Sequence, residues 1–500
     1  MVTIQSESRL EVLREVALLL EQENRRLHER IQQLTLTLAR LQGQDGTSAL
    51  QMELEALKEL LSRREKALFG DSSEKRSHPD PVIPDPEPKP RPGHGPRAQS
   101  QLPIVEVLHL LDESNRECPA CGGHLEEMKD QQEASDEITV VERRFLVAHH
   151  LRQKYRCRCN GAVVTAPGPR KLIPGGRYSP AFAVEVATSK YLDHLPLERQ
   201  SRILLREGLV VGSQTLWDQI DALARHLEPT YQELGRRVLS APLVHADETH
   251  WRLMAKTERK KYWAWCLTSA DTVYYRIFDN RAKGSAEQLL SGYRGRVVAD
   301  GYGAYEALAR AGPGFTLAHC WAHVRRKFVE IESHYPRQVR EILDLIGELY
   351  AVEREPLARQ AQDCDDGTAR LVLRAQLRAE RSRPLIASIR LWAESQTILP
   401  RSGLGQAIHY MQELWPGLTR FLDDPLIPLD NNPVERVIRG LVVGRKNHYG
   451  SRSRRGCEVA ALFYSLIETA KLCGAEPKTF LLRAISEALD HPGTITLPNR

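Results

Sequence analysis

The chain contains no apolar run approaching the roughly 18 residues that a membrane-spanning helix needs, which argues against a membrane protein. Its first residues, MVTIQSESRLEVLREV, lack the basic, then apolar, then small-residue order of a secretory signal, so a cytoplasmic protein is expected. The nine cysteines are odd in number, and four of them form two close pairs, Cys118/Cys121 and Cys157/Cys159. In a reducing compartment that pattern points to a metal rather than to disulfides. Strong net charge is missing too: a formal +5 over 500 residues says little about partners. With 41% hydrophobic residues there is enough apolar material for a globular enzyme, and the length implies two to four domains.

What the whole chain lacks in charge, one segment concentrates. Residues 430–456 carry Arg436, Arg439, Arg445, Lys446, Arg452, Arg454 and Arg455 against only Asp430 and Glu435. Such a patch can neutralise phosphates, or it can be a solvated basic loop. The segment also reads as a helix start: Asn432 suits the N-cap, Pro433 the first turn, and Glu435 a capping box. Arg439, four residues beyond Glu435, could instead serve a simple intrahelical ion pair.

Upstream, residues 8–68 form a coiled-coil candidate. Leu13, Leu20, Leu27, Leu34 and Leu41 recur at d, and Leu10, Ala17, Asn24, Ile31 and Leu38 fall at a. Five heptads with one Asn at a favour a parallel two-stranded pair, hence a homodimer or higher oligomer. Helix propensity breaks at GQDGTS and resumes at 49–68. Residues 69–102 are a proline-rich linker. Residues 103–172 hold the cysteine pairs, around β-like alternation, and read as a zinc-binding module. The second pair is C-x-C, so the fourth ligand stays open between Cys159 and His124. Residues 173–240 read as helices around a turn at Gly208–Gly212, with the second helix capped by Ser213. This suits a helix-turn-helix with Gln214, Thr215 and Gln219 facing DNA, or equally a plain helical hairpin.

From 241 the period changes to two. PLVHAD (242–247), THWRLM (249–254), YWAWCLT (262–268), TVYYRIF (272–278), GRVVAD (295–300) and FTLAHC (315–320) are strand candidates, with a helix at 285–293. The order predicts a mixed α/β sheet over 241–456, interrupted by a helical insertion at about 321–425. Asp247 and Asp300 each end an apolar strand. Side by side, their carboxylates would converge at the sheet's ligand-binding edge, and with a third carboxylate could hold two Mg²⁺ ions for phosphodiester chemistry. Glu248 and His250 fall on the opposite face of the strand from Asp247. His245 shares the Asp247 face, with a core histidine the preferred reading. In HCWAH, His319, Cys320 and His323 are candidates for a soft metal site, since the two histidines sit four apart, as ligands do on a helix, although no fourth ligand is near in sequence. His323, with Arg325 and Arg326, is either a DNA-facing or site-supporting group or a structural one.

These residues carry a resemblance. ALFGDSSEKR (67–76), CPACGGHL, YRCRC, KYLDHLPLERQSRI (190–203), HADETHW (245–251), ADGYGAY (299–305), HCWAHVRRKF (319–328), NNPVERVIRGLVVGRKN (431–447) and the tail SLIETAKLCGAEPKTFLLRAI (465–485) resemble the insertion sequence 66 transposase family along almost the whole chain. The resemblance implies an RNase H-like domain with a DDE triad that maps onto Asp247, Asp300 and Glu435. It also implies Mg²⁺ or Mn²⁺ at that triad and structural Zn²⁺ at Cys118, Cys121, Cys157 and Cys159. Family members often carry a third cysteine where this chain has Asn160, which leaves the ligand set open. Action at terminal inverted repeats and target DNA follows, with accessory element-encoded proteins as further partners and a bacterial, nucleoid-associated location. Arg436, Arg439, Arg445, Lys446 and Arg452 are the phosphate-contact candidates, and residues 457–500 form a C-terminal helical element. A non-catalytic zipper and zinc DNA-binding regulator, or an RNase H-like nuclease, are the alternatives.

Overall fold

A computed structural model describes residues 10–41, 53–54, 57–61, 119–122, 145–156, 163–254, 259–311, 314–363 and 367–498. The chain divides into two compact units, Met1–Phe69 with Arg144–Arg500, and Gly70–Arg143. Of the second unit only 119–122 are described, a turn in which Cys121 is exposed and Gly122 takes φ 71°. The expected zinc ligands Cys118, Cys157 and Cys159, and the alternative His124, lie outside the described residues, as does the proline-rich linker.

The heptad segment is one helix, α1 (Leu10–Leu41), followed by a short helical stretch at 57–61. Strands β1 (Lys154–Arg156) and β2 (Val163–Thr165) pair antiparallel. Three helices follow: α2 (Pro180–Tyr191), α3 (Leu197–Arg206) and α4 (Ser213–Ser240). Ser213 is the first residue of α4 rather than its cap. Gly212 occupies the cap position without a side-chain bond, and Ser213 Oγ instead donates to Glu198 of α3 at 2.7 Å.

The main sheet has five strands in the order β5-β4-β3-β6-β7. β3 (Leu243–Met254), β4 (Arg259–Thr268) and β5 (Val273–Phe278) form an antiparallel meander, and β6 (Arg296–Ala299) and β7 (Thr316–His319) run parallel to β3. The two strand candidates at 242–254 are one continuous strand, since neither glycine nor proline interrupts them after Pro242. Short helices α5 (Lys283–Leu289) and α6 (Gly303–Arg310) connect β5 to β6 and β6 to β7. The segment after β7 holds α7 (Trp321–Val329), α8 (Pro336–Asp363), α9 (Gly367–Leu377), a π-helical turn (Arg378–Ser382), α10 (Arg383–Ser395), α11 (Gly403–Glu413) and α12 (Trp415–Leu418). The chain then returns through α13 (Asn432–His448), α14 (Arg454–Leu472) and α15 (Pro477–Asp490).

Two hydrophobic cores result. One joins α2, α4, α13, α14 and α15 to the sheet, so the helical region before residue 240 packs into the same core as the strands. The other gathers α7, α8, α10, α11 and α12 on Val298 and Ala318. The outer edge of β5 would expose unpaired backbone groups, a hazard for any edge strand. Here side chains cover it. Tyr275 N donates to Ser465 Oγ (2.8 Å) and Val273 N to Thr469 Oγ1 (3.0 Å), while Tyr231 Oη donates to Tyr275 O (2.7 Å).

The insertion is locked by one buried cation. Arg378 is 0% exposed and donates to both Glu353 oxygens (2.6 and 2.9 Å) and to the carbonyls of Phe421, Asp424 and Ile427. Its guanidinium fork thus ties α8 to the segment that leads into α13. Truncating one partner of such a pair strands the other charge in the interior. Arg378→Ala should therefore cost about 3–5 kcal/mol in urea unfolding followed by circular dichroism, and a loss below about 1 kcal/mol would show that the clamp is dispensable.

Candidate active site

The site begins with strand register. β3 and β6 pair as Leu243↔Arg296, Val244↔Val297 and His245↔Val298. Asp247 and Asp300 each lie two residues beyond the last pair, so the two carboxylates arrive at the same level. Oxygens of Asp247, Glu248 and Asp300 fall within 4.8 Å of one another. Asp247 Oδ1 accepts from Glu248 N (2.8 Å) and Asp300 Oδ1 from Tyr302 N (3.0 Å).

Glu248 lies on the other side of the strand, as the alternation of β3 requires. Its carboxylate is nonetheless near enough to join the cluster, which parity alone does not reveal. Its oxygens are already committed: Arg281 donates to Oε1 (2.8 Å from Nε) and Tyr305 Oη to Oε2 (2.7 Å). Arg281 is itself sandwiched over the Trp263 and Tyr302 rings. Glu248 is thus held by side-chain donors, whereas Asp247 and Asp300 each accept one backbone amide. Two hard oxygen donors left free at adjacent strand ends fit a divalent cation.

The third carboxylate arrives on α13, whose two ends are fastened to β3. At the start, Asn431 is 0% exposed. Its Nδ2 donates to Ala246 O (2.8 Å), its Oδ1 accepts from His245 Nδ1 (3.0 Å), and its backbone N donates to Cys320 Sγ (3.1 Å). At the other end Arg445 donates to Thr249 Oγ1 (2.9 Å) and His250 O, and Ser451 forms a β-bridge with Leu253. Gly450 (φ 118°) is required there, because a Cβ would stand 2.2 Å from Arg252 O. His245 is accordingly a core histidine, held neutral by burial that lowers its pKa to about 4.

Glu435 does not close a capping box. The cap residue is Asn431, one earlier than the local pattern suggests, because Asn431 is recruited by β3 while Asn432 turns back to Asp430. This puts Glu435 at the fourth helical position, beyond capping reach. Its ion partners are His323 Nε2 (3.6 Å) and Arg326 Nη2 (3.5 Å) rather than Arg439. Glu435 Oε1 is buried without a hydrogen-bond partner among the described residues. Its charge reaches Asp247, adding to the upward pull that burial, Glu248 and Asp300 exert there.

Other expected residues divide. Arg436, Arg439, Lys446 and Arg452 are exposed, and the first three share one stripe of α13 whose opposite face buries Val434, Val437, Ile438 and Leu441. Arg445 is half-buried and serves as a strut to β3. Arg325 is half-buried, and Arg326 is exposed. Gln219 is a correction: it is 5% exposed, between Leu216, Ile220 and Leu223 on the core face of α4, and cannot meet a DNA groove. Gln214 is exposed and Thr215 half-buried. His319 and His323 do not share a helix, since His319 ends β7 and turns its Nε2 to Glu306 (3.6 Å).

Two outcomes follow. Asn431→Ala leaves buried partners on β3 unsatisfied and should cost about 2–4 kcal/mol, measured by urea unfolding. The second concerns pH. Burial, then the charges of Glu248 and Asp300, push the Asp247 carboxyl from 3.8 up to about 8. Between those values the folded chain binds more protons than the unfolded one, so this group's stability contribution is full below pH 4 and lost as pH rises through 8. In buffer free of Mg²⁺ and Mn²⁺, Asp247→Asn should flatten that fall and raise stability at pH 8 by about 1–2 kcal/mol; thermal unfolding across pH 4–9 reads it.

Comparison with known proteins agrees with this architecture. Residues 175–459 match the Transposase IS66 family, and residues 115–160 match the zinc-finger binding domain of transposase IS66. The second match spans both cysteine pairs and identifies that region as a zinc module. The chain is 32% identical over 415 residues to the uncharacterized protein y4jD of Sinorhizobium fredii, covering 79% of this chain and 78% of that one. It is also 32% identical over 390 residues to y4qI of the same organism, covering 74% and 70%. No described helix is long and apolar enough to cross a membrane. On a match that takes in the sheet, both strand-end aspartates, the insertion and the Glu435 helix, the chain belongs to the IS66 family of transposases.

Proposed function

We propose that this transposase cuts and joins DNA at the terminal inverted repeats of its element by DDE chemistry on an RNase H-like sheet, with Asp247, Asp300 and Glu435 as the triad. The observation that carries the reading is the junction of three distant segments. The Asp247 and Asp300 carboxylates cluster at adjacent parallel strand ends, and a helix stapled across β3 carries Glu435, whose charge reaches Asp247 and whose buried Oε1 has no hydrogen bond among the described residues. Mg²⁺ or Mn²⁺ held there would supply an activated water or 3′-hydroxyl and stabilise the leaving oxygen.

The chain's own groups do the rest. Asp247 and Asp300 orient through their backbone amide bonds, each leaving one oxygen for a ligand. Arg281 and Tyr305 hold Glu248 in place, so its charge adds to the cluster's field without mobility. The exposed stripe of Arg436, Arg439 and Lys446, with exposed Arg452, would grip phosphates on the side of α13 away from the core. Arg326 would reach a phosphate near Glu435. Dimerisation through α1 is supported by its 32 unbroken residues and by the heptad spacing of its leucines around Asn24. A single Asn at an a position favours an in-register parallel pair.

Labelled end DNA with Mg²⁺ tests the triad. Asp300→Ala and Glu435→Gln should keep the circular dichroism spectrum and end binding while cleavage falls by more than the roughly 10–100-fold typical of an outer-shell loss. Wild-type cleavage by Asp300→Ala would overturn the assignment. Binding without cleavage under any divalent ion would favour a regulator, and equal cutting of scrambled ends a general nuclease.

A further inference from the structure

HCWAH offers three soft donors in sequence, but the strand–helix boundary separates them. His319 ends β7 and faces Glu306, while Cys320 occupies the cap position of α7 and His323 follows three residues later. A cap residue and the residue three on lie over one turn, so Cys320 and His323 can face the same neighbour. That neighbour is the start of α13. Cys320 Sγ, a ring nitrogen of His323 and an oxygen of Glu435 all lie within 4.8 Å of one another. Glu435 takes the place that spacing suggested for His319.

We propose that Cys320, His323 and Glu435 form a second cation site, for a borderline ion of the Zn²⁺ class, beside the all-oxygen pair Asp247–Asp300. The donor chemistry separates the two. One thiolate, one imidazole and one carboxylate suit Zn²⁺, whereas carboxylates alone suit Mg²⁺ or Mn²⁺. Three protein ligands leave a fourth tetrahedral position for water or a substrate oxygen. The scaffold is already rigid: Asn431 N holds Cys320 Sγ, and Trp321 N donates to Leu429 O (2.9 Å), which zips α7 to the approach of α13. Glu435 Oε1 and His323 Nδ1 are both buried without a hydrogen-bond partner among the described residues. Arg326, 55% exposed, is the competing cation and has open solvent into which it can swing. Binding would release the Cys320 thiol proton to solvent as the sulfur–metal bond forms.

The consequence rests on the proposed triad. Glu435 belongs to both sites, so Zn²⁺ on Cys320 and His323 holds that carboxylate away from the aspartate pair. Zn²⁺ should then oppose Mg²⁺-dependent cleavage.

Metal counting on the full-length chain tests the site apart from activity. Equilibrium dialysis against stepped free Zn²⁺ should give two equivalents for the wild type, one in the zinc-finger region and one here. Cys320→Ser and Cys118→Ser should each lose one, and the double variant both. His323→Asn, on the half-buried side of α7, should weaken the second equivalent at least about tenfold, and serves if Cys320→Ser fails to fold. Equal zinc content in the wild type, Cys320→Ser and His323→Asn would overturn the proposal. That result would leave the triad standing, since cleavage in Mg²⁺ is read separately. If cleavage fails while the second equivalent persists, the cation site stands without the triad.

Discussion

Asn431 is the joint on which this architecture depends. Three segments far apart in sequence meet on one amide: β3 through Ala246 and His245, the β7–α7 boundary through Cys320, and α13, which begins at the next residue. An asparagine side chain has both a donor and an acceptor end, so it can read a strand carbonyl and a histidine nitrogen together. Full burial gives each bond weight, because an unmade partner there has no water to turn to. The requirement for neutral His245 follows: its Nδ1–H must point at Asn431, and burial holds the ring uncharged.

The carboxylate cluster presents the opposite problem. Three acids within 4.8 Å repel one another, and the fold answers each differently. Glu248 is given a guanidinium and a phenol, and Arg281 is in turn held between two aromatic rings. Asp247 and Asp300 receive only one amide each, and Asp247 is pushed toward its protonated form. Glu248 is thus fixed by two side-chain donors while its charge still acts on Asp247, whereas the two aspartates have no such side-chain partner among the described residues. The proposed cation-binding role suits that asymmetry, whereas a structural ion-pair network would give every acid a base.

How legible this was depends on distance along the chain. The strands announced themselves by period two, and both aspartates by their position at the ends of apolar runs. The pairing of β3 with β6 that aligns Asp247 and Asp300 was a topological expectation, and register supplied the rest. Local signals misread α13. Asn432, Pro433 and Glu435 satisfy a capping box on paper, yet β3 recruits Asn431, a contact across 185 residues that no local pattern encodes. Gln219 failed for a related reason. Its polarity suggested an exposed helix face, but its position between Leu216 and Ile220 already put it on the core stripe. His319 and His323 have helical spacing, but the strand runs one residue further than that spacing assumes. The zipper heptads predicted the helix, and α1 runs unbroken over Leu10–Leu41.

The insertion explains how so long a gap between Asp300 and Glu435 remains compatible with the proposed triad. A flexible loop of that length would leave α13 to find its place against a large entropic cost. Instead Arg378 fastens Phe421, Asp424 and Ile427 to α8, and Arg420 reaches back to Leu317 O of β7 (2.8 Å). The return path is thus anchored to the sheet before it reaches Asn431. The N-terminal region joins the same brace. Glu59, 3% exposed, accepts from Gly403 N (2.7 Å) and Tyr335 Oη (3.2 Å), adding a carboxylate to the positive end of α11. The stretch after α1 is therefore fixed on the insertion, and Arg30 of α1 reaches Glu53 at 3.1 Å. Contacts through Glu53 and Glu59 thus run from the helix that carries the heptads to the insertion that separates Asp300 from Glu435.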